Sequence, residues 1–181
     1  MRWKNGLGET VEIAVFPEGG SLDAFDWRVS MAQVAADGPF SAFLGVDRTL
    51  CVLEGEGVRL AIAGRPEVTL TRTSEPFAFP ADADTTCRLV KGAITDLNVM
   101  TRRGRFRHRV RRLVIEGEVA LHSEAEATLL LSRADGLAVE AGEEKARLDK
   151  DDALLSSGAV ELRLASRGRA DAFAIEIFRS G

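Results

Sequence analysis

The stretch "GAITDLNVMTRRG", residues 92–104, sets a pattern that recurs along most of this chain. Polar and apolar side chains alternate, so Asp96, Asn98 and Met100 share one face of an extended segment and aliphatic side chains share the other. Such period-two alternation indicates a β-strand. Because one face carries an acid and an amide, the strand is a candidate lining for a polar cavity.

The same frame returns in "GAVELRLASRG", residues 158–168, where Arg163 takes the place of Asn98. Two further pairs of segments match in the same order, 49–60 with 128–139 and 77–84 with 146–155. Three ordered matches predict a duplicated β-barrel unit. We therefore expect two small barrels, residues 1–105 with an N-terminal extension and residues 106–181.

Short alternating segments separated by Gly, Pro and Asp turns fill the rest of the sequence, which predicts an all-β protein. The best helix candidate is residues 21–36, where Ser21 resembles an N-cap. Its large apolar residues nevertheless alternate, so a turn followed by a strand is the better interpretation.

Composition describes a soluble globular protein of 181 residues, with 45% hydrophobic and 29% charged residues. A net charge of -4 gives no general attraction to nucleic acid. No segment resembles a signal peptide or a membrane span, so a cytoplasmic location is expected. Cys51 and Cys87 are interpreted as reduced, buried thiols.

The sequence lacks the motifs of several enzyme classes. It contains no Gly-x-Ser-x-Gly elbow and no P-loop, and "GLGETV", residues 6–11, fails the dinucleotide pattern. His108 and His122 stand fourteen residues apart without a third histidine or a cysteine cluster, so no metal site is expected. We assign no catalytic residue, no metal and no cofactor.

Asn5 and Asn98 are the only asparagines. An amide can bind a carboxylate or an uncharged polar group whatever the pH; the alternative is a buried amide satisfied by backbone. Trp3 either walls the cavity or anchors the N-terminus. Asp47 and Arg48 form either an ion pair at the cavity mouth or a solvated strand end.

Residues 102–112 hold seven arginines and no acid. Such a row suits a nucleic-acid or polyanion surface. The acidic total favours an outward strand face whose arginines pair with neighbouring acids. The predicted partners are Glu116, Glu118, Glu124 and Glu126. A module that docks on an acidic protein remains an alternative.

Several stretches resemble the HutD/Ves family, above all in the first 110 residues. They are "WKNGLGETVEIAVFPEG" (3–19), "LDAFDWRVSMAQVAADGPFSAFLGVDRTLCVLEG" (22–55), "DLNVMTRRGRFRHRV" (96–110) and "AFAIEIF" (172–178). The resemblance implies a bicupin, two tandem small jelly-roll barrels, and an association with histidine-utilisation genes. It also implies binding of a small pathway metabolite and no established enzymatic activity.

We therefore expect metal-free binding of a small, anionic, carboxylate-bearing metabolite, with a regulatory or buffering role. The predicted ligand-binding residues are Asn98, Asn5, Trp3, Met100, Arg48, His108 and Asp96. The amides would supply polar contacts, the tryptophan and methionine apolar walls, and Arg48 or His108 positive charge. The alternative is a metal-free enzyme that uses Asp96 or Glu54 as acid or base. No nucleic acid or membrane partner is expected, and a homodimer is left open.

Overall fold

The computed structural model describes residues 8–21 and 24–181, which contain fifteen β-strands and no helix. This confirms the all-β prediction, and no helix of these residues is long and apolar enough to cross a membrane. Contacts divide the chain into two compact units, Met1–Phe106 and Arg107–Gly181.

The first unit contains two antiparallel sheets. Its strands are β1 (Gly8–Phe16), β2 (Trp27–Val34), β3 (Gly38–Pro39), β4 (Val46–Glu54), β5 (Val58–Ile62), β6 (Val68–Leu70), β7 (Phe77–Pro80), β8 (Thr85–Leu89) and β9 (Ile94–Arg102). The five-stranded sheet has the order β1-β2-β9-β4-β7, and the four-stranded sheet the order β3-β8-β5-β6. Strand β9, which carries the opening motif, is therefore central, with β2 and β4 on its two sides.

Alternation explains how these two sheets face each other. On β5, Val58, Leu60 and Ile62 are buried, while the side chains between them are exposed. They share one core cluster with Leu50 and Val52 of β4 in the other sheet. One face of the five-stranded sheet is thus an inner face, packed towards the four-stranded sheet.

The turn into β5 requires glycine. Gly57 has a φ of +127°, and a Cβ atom there would lie 2.4 Å from the backbone oxygen of Leu70. Gly136, which the sequence comparison matched to Gly57, also has a positive φ and precedes β12 as Gly57 precedes β5. This block of the repeat therefore corresponds between the two units.

The second unit is built around one long strand. Its strands are β10 (Phe106–Ser123), β11 (Ala127–Ser132), β12 (Leu137–Ala141), β13 (Glu144–Leu148), β14 (Ala153–Ser157) and β15 (Val160–Arg179). The sheet order is β13-β12-β15-β11-β14, with β10 also paired to β15. The first half of β15 pairs with β12 and its second half with β11. Leu164 and Ala174, from the two halves, lie in one core cluster.

This pairing corrects the predicted match of residues 158–168 to residues 92–104. Strand β9 pairs with β4, but the segment 163–165 pairs with β12, which corresponds to β5. The strand equivalent to β9 is instead the second half of β15, which pairs with β11. In the first unit a turn separates β8 from β9, whereas β15 continues without a break. The sequence match therefore aligned β9 with the first half of β15 when its structural equivalent is the second half.

Candidate functional site

A buried polar group lies on the inner face of the five-stranded sheet. Three rungs of paired residues cross β2, β9 and β4: Arg28–Met100–Arg48, Ser30–Asn98–Leu50 and Ala32–Asp96–Val52. Directly opposed residues in a sheet share a face, so these side chains converge on one surface. Burying polar and charged groups is unfavourable unless they are paired, and such a cluster therefore needs a functional or structural cause.

Asp96 and Asn98 are joined directly. The Asn98 Nδ2 atom donates to Asp96 Oδ1 at 2.6 Å. Asn98 is 9% exposed and Asp96 is 1% exposed. Burial raises the pKa of Asp96 to about 7, although the charge of Arg48 and the hydrogen bond from Asn98 act in the opposite direction. The carboxyl group therefore changes its charge near neutral pH.

Arg48 lies within a cage of aromatic rings. Arg48 is 6% exposed. Its guanidinium carbon lies 5.5 Å, 5.3 Å and 5.8 Å from the ring centroids of Phe40, Phe43 and Phe79. The negative faces of aromatic rings attract a cation but do not neutralise it. Burial lowers the pKa of Arg48 to about 10, with Asp96 raising it and Arg28 lowering it further. The group stays charged at neutral pH.

The hydrogen bonds of this guanidinium are incomplete. Its Nη2 atom makes two long contacts, 3.4 Å to the Ser41 backbone oxygen and 3.5 Å to Met100 Sδ. Its Nε atom is buried and has no hydrogen-bond acceptor among residues 8–21 and 24–181. Arg48 also has no ion pair with any acid in those residues. It is a buried cation with free donor capacity, which suits an anion.

Arg28 supplies a second buried cation, which is not among the residues predicted from the sequence. Its Nε atom donates to Glu12 Oε2 at 2.7 Å and its Nη1 atom to Ser30 Oγ at 3.2 Å. Glu12 lies on the edge strand β1, where a bulge interrupts the register. The side chain of Arg28 is 6% exposed and that of Glu12 43%. Thus Arg28 is held by an acid, whereas Arg48 is not.

The structure brings together four of the predicted residues, Arg48, Asp96, Asn98 and Met100. His108 lies on β10 and belongs to the second unit. Asn5 and Trp3 lie outside the described residues. Glu54, the other acid considered for catalysis, follows a bulge in β4 that places it opposite Thr95. It therefore lies on the face opposite Asp96.

Asp47 and Arg48 do not form an ion pair, and Arg48 is not a solvated strand end. Asp47 Oδ1 instead accepts from Arg103 Nη2 at 2.8 Å, and Arg103 Nη1 lies 3.3 Å from Asp82 Oδ2. Neighbouring residues on a strand point to opposite faces, so Asp47 points away from the inner face that holds Arg48.

The arginine row is broken by a turn at residues 103–105, so its members do not share one strand face. Arg105 pairs with Asp26 at 2.6 Å in the first unit. The predicted glutamate partners are wrong where the structure gives a pairing: Glu126, for example, pairs with Arg179 at 2.8 Å. These ion pairs are determined by which strands lie side by side in the fold, so the partners cannot be found from closeness in the sequence.

In the second unit, two arginines of the row meet a buried carboxylate. Glu176 on β15 is 0% exposed. Arg109 donates to it through Nε at 2.8 Å and Nη2 at 2.7 Å, and Arg111 donates through Nε at 3.1 Å. Burial alone would raise the pKa of Glu176, but the bonds from Arg109 and the charge of Arg111 hold it below its ordinary value. Glu176 is thus a carboxylate bound by an arginine pair.

The residues of the candidate site do not fit a metal ion. Cupin metal sites use histidines and a carboxylate, but the rungs here present two guanidinium groups, which repel a cation. No cluster of three His, Cys, Asp or Glu side chains suited to a metal occurs in the described part of the chain.

We accordingly expect purified protein to contain no stoichiometric zinc, iron or manganese. EDTA should leave the melting temperature unchanged. A chelator lowers the melting temperature when it removes a structural metal, because that metal's contribution to folding is then lost. Elemental analysis and melting curves with and without chelator measure this. One metal ion per chain, or a lower melting temperature in EDTA, would contradict the prediction.

Comparison with known proteins shows which family the chain resembles. The HutD family model matches residues 1–174. An uncharacterized 21.2 kDa protein of the hutC 3′ region in Pseudomonas putida is 38% identical over 163 residues, which cover 90% of this chain and 84% of that protein. Protein Ves of Citrobacter koseri is 43% identical over 110 residues, 60% of this chain and 56% of Ves.

Solved structures agree with the fold. A conserved protein of unknown function from Pseudomonas aeruginosa superposes with a TM-score of 0.91 at 37% identity, over 98% of this chain and 93% of that one. HutD from Pseudomonas fluorescens gives 0.82 at 32% identity, over 100% and 94%. Salicylate 1,2-dioxygenase from Pseudoaminobacter salicylatoxidans, at 11% identity and a TM-score of 0.66 over 100% and 80%, shows the cupin fold alone.

Proposed function

This chain belongs to the HutD family, which is linked to histidine utilisation, and on that premise we propose that its first unit binds a small carboxylate metabolite without a metal. The observation that carries the proposal is Arg48, a buried guanidinium whose Nε atom has no acceptor in the described residues. A carboxylate supplies both the missing charge and two acceptor oxygens.

The neighbouring groups fit the same ligand. The Asn98 amide donates one hydrogen to Asp96, and an amide carries a second hydrogen that can be donated to a ligand oxygen. Arg28 adds positive charge from the other side of Met100. Phe40, Phe43 and Phe79 give Arg48 an apolar surround in which a charge-assisted bond is strong.

The biological role that follows is regulatory or buffering. A cytoplasmic protein that holds an intermediate of histidine breakdown in a metal-free site would report or limit the concentration of that intermediate. Melting curves recorded with each carboxylate intermediate of the pathway would identify the ligand, because a compound that binds only the folded state raises its stability. Formate is a suitable first probe, since the HutD structure from Pseudomonas fluorescens was determined in a formate condition.

Asn98→Leu should weaken carboxylate binding by about 1–3 kcal/mol, up to ~100-fold in Kd, while the protein stays folded. The substitution keeps a similar volume and removes the amide that would contact the ligand. Titration with formate and with pathway carboxylates measures the Kd, and melting curves measure the fold. The control is Gln33→Leu, which removes an exposed amide of β2 and should leave the Kd unchanged.

If Asn98 serves only to hold Asp96, the result will differ. Asn98→Leu would then lower the melting temperature and leave the Kd at the wild-type value. That combination would remove Asn98 from the proposed site.

Asp96 supports a second candidate function, a metal-free enzyme that acts on the same metabolite. A buried carboxyl group with a pKa near 7 can donate or accept a proton in catalysis. The two functions separate by product analysis: incubation of each bound carboxylate with the protein would yield a new compound only if the protein is an enzyme. Loss of that product in Asp96→Asn would assign the acid or base.

A further inference from the structure

We propose that binding of a carboxylate at Arg48 is coupled to the uptake of one proton by Asp96, so that the site takes up an anion together with a proton. The inference deepens the proposed function and rests on it. It assigns Asp96 a role in regulating the affinity of the site, with no role in the chemistry of the ligand.

The first support is the arrangement of buried charges. Asp96 is 1% exposed, and it forms no ion pair within residues 8–21 and 24–181. Its ionised form is favoured by the charge of Arg48 and by hydrogen bonds from Asn98 and from the Ala32 backbone. Without a ligand, Arg48 and Asp96 therefore compensate each other at a distance.

A bound carboxylate changes this balance. Its negative charge lies on Arg48 and cancels the field that favours ionised Asp96, and it also repels a second negative charge on the same inner face. Both effects favour the neutral form of Asp96. The proton comes from solvent and stays on the carboxyl group, whose Oδ1 atom can still accept the Asn98 amide hydrogen.

The other charged and titratable groups around Asp96 do not provide an alternative proton acceptor. Arg28 on β2 is paired with Glu12 of β1, whose side chain is 43% exposed to water. Cys87 of β8, in the facing sheet, interacts with Asp96, and burial raises the pKa of its thiol, which stays neutral. Asp96 is therefore the group on this face placed to change its charge near neutral pH.

The consequence is a pH-dependent affinity. Coupled uptake of one proton makes the apparent Kd rise with pH, approaching tenfold per pH unit above the pKa of Asp96 and becoming flat below it. Raising the pH would then release the metabolite, and acidification would retain it. The inference predicts that the site senses both metabolite concentration and acidity.

The test uses the full chain and sodium formate, with sodium chloride as the ionic-strength control, between about pH 5.5 and pH 8.5, where formate itself stays ionised. Wild-type protein should show the rising Kd, while Asp96→Asn should bind formate with a Kd that is independent of pH and lower than the wild-type value at about pH 8. The matched control is Asp37→Asn, which removes an exposed carboxylate of the same unit and should keep the wild-type slope.

A second measurement needs no substitution. The side-chain carboxyl carbon of Asp96, followed by NMR at about pH 7.5, should move to the protonated position when formate saturates the site. A wild-type Kd that does not change with pH, or a slope that persists in Asp96→Asn, would overturn the coupling and leave carboxylate binding intact. Absence of formate and pathway-carboxylate binding at every pH in both proteins would instead overturn the proposed function, and the coupling with it.

Discussion

Arg48→Met is expected to weaken carboxylate binding at least ~30-fold while the protein remains folded. Removing one partner of a buried, hydrogen-bonded charge pair typically costs about 2–5 kcal/mol of binding free energy, which gives this range. The fold should tolerate the change, because Asp96, which loses the compensating charge of Arg48, can take up a proton and stay neutral in its buried position. The methionine would pack against the rings of Phe40, Phe43 and Phe79.

The measurement is a formate and pathway-carboxylate titration followed by melting curves of the same preparations. Arg48→Lys should retain part of the affinity, since an ammonium keeps the charge but lacks the planar pair of donors. Arg59→Met is the matched control, because Arg59 is exposed on β5 and lies outside the site. Wild-type affinity in Arg48→Met would show that the carboxylate binds elsewhere.

Asp96 should make the first unit less stable as the pH rises from about 4 to about 7. Its pKa is raised from 3.8 in the unfolded chain to about 7 by burial, so the folded state binds the proton more tightly. The stability this gives is fully present below the unfolded pKa and is lost as pH rises through the folded pKa. At about 1.4 kcal/mol per unit, the loss is on the order of 4 kcal/mol.

Chemical denaturation of wild-type protein and Asp96→Asn across this pH range tests the prediction. The amide keeps the shape and cannot ionise, so the stability of the variant relative to wild-type protein should rise as the pH rises from about 4 to about 7. Glu176, whose pKa is lowered, loses its contribution as the pH falls, but it does so in both proteins and cancels in the difference. A difference that stays constant with pH would mean that Asp96 is ionised and satisfied in the native state.

The alternation of polar and apolar residues was enough to predict many of the strands and part of the candidate site. It identified the strand that became β9 and placed Asp96, Asn98 and Met100 on one face, where the structure has them. It also predicted a strand within residues 21–36 despite the helix-like start at Ser21, and β2 lies there. Local pattern succeeds here because the period of a strand is a local property.

Other features depend on contacts that the sequence does not display. Arg28 lies on the same face of β2 as Ser30, because the two residues are two positions apart. Only the pairing of β2 with β9 shows that this face is the inner one. The cage around Arg48 comes from a loop and from β7, and Glu54 changed face because of one bulge residue. Register, bulges and loop closure decide these positions, and each is a long-range property.

The carboxylate of Glu176 has a consequence for how the two units respond to solutes. It belongs to the same chain as Arg109 and Arg111, so it binds them at a high effective concentration. Dilution of the protein does not change that concentration. Arg48 in the first unit has no such tethered anion among the described residues and, under the proposed function, takes one from solution. Dissolved metabolite would stabilise the first unit in proportion to its concentration and leave the second unchanged. One chain would then contain both a metabolite-responsive half and an invariant reference half.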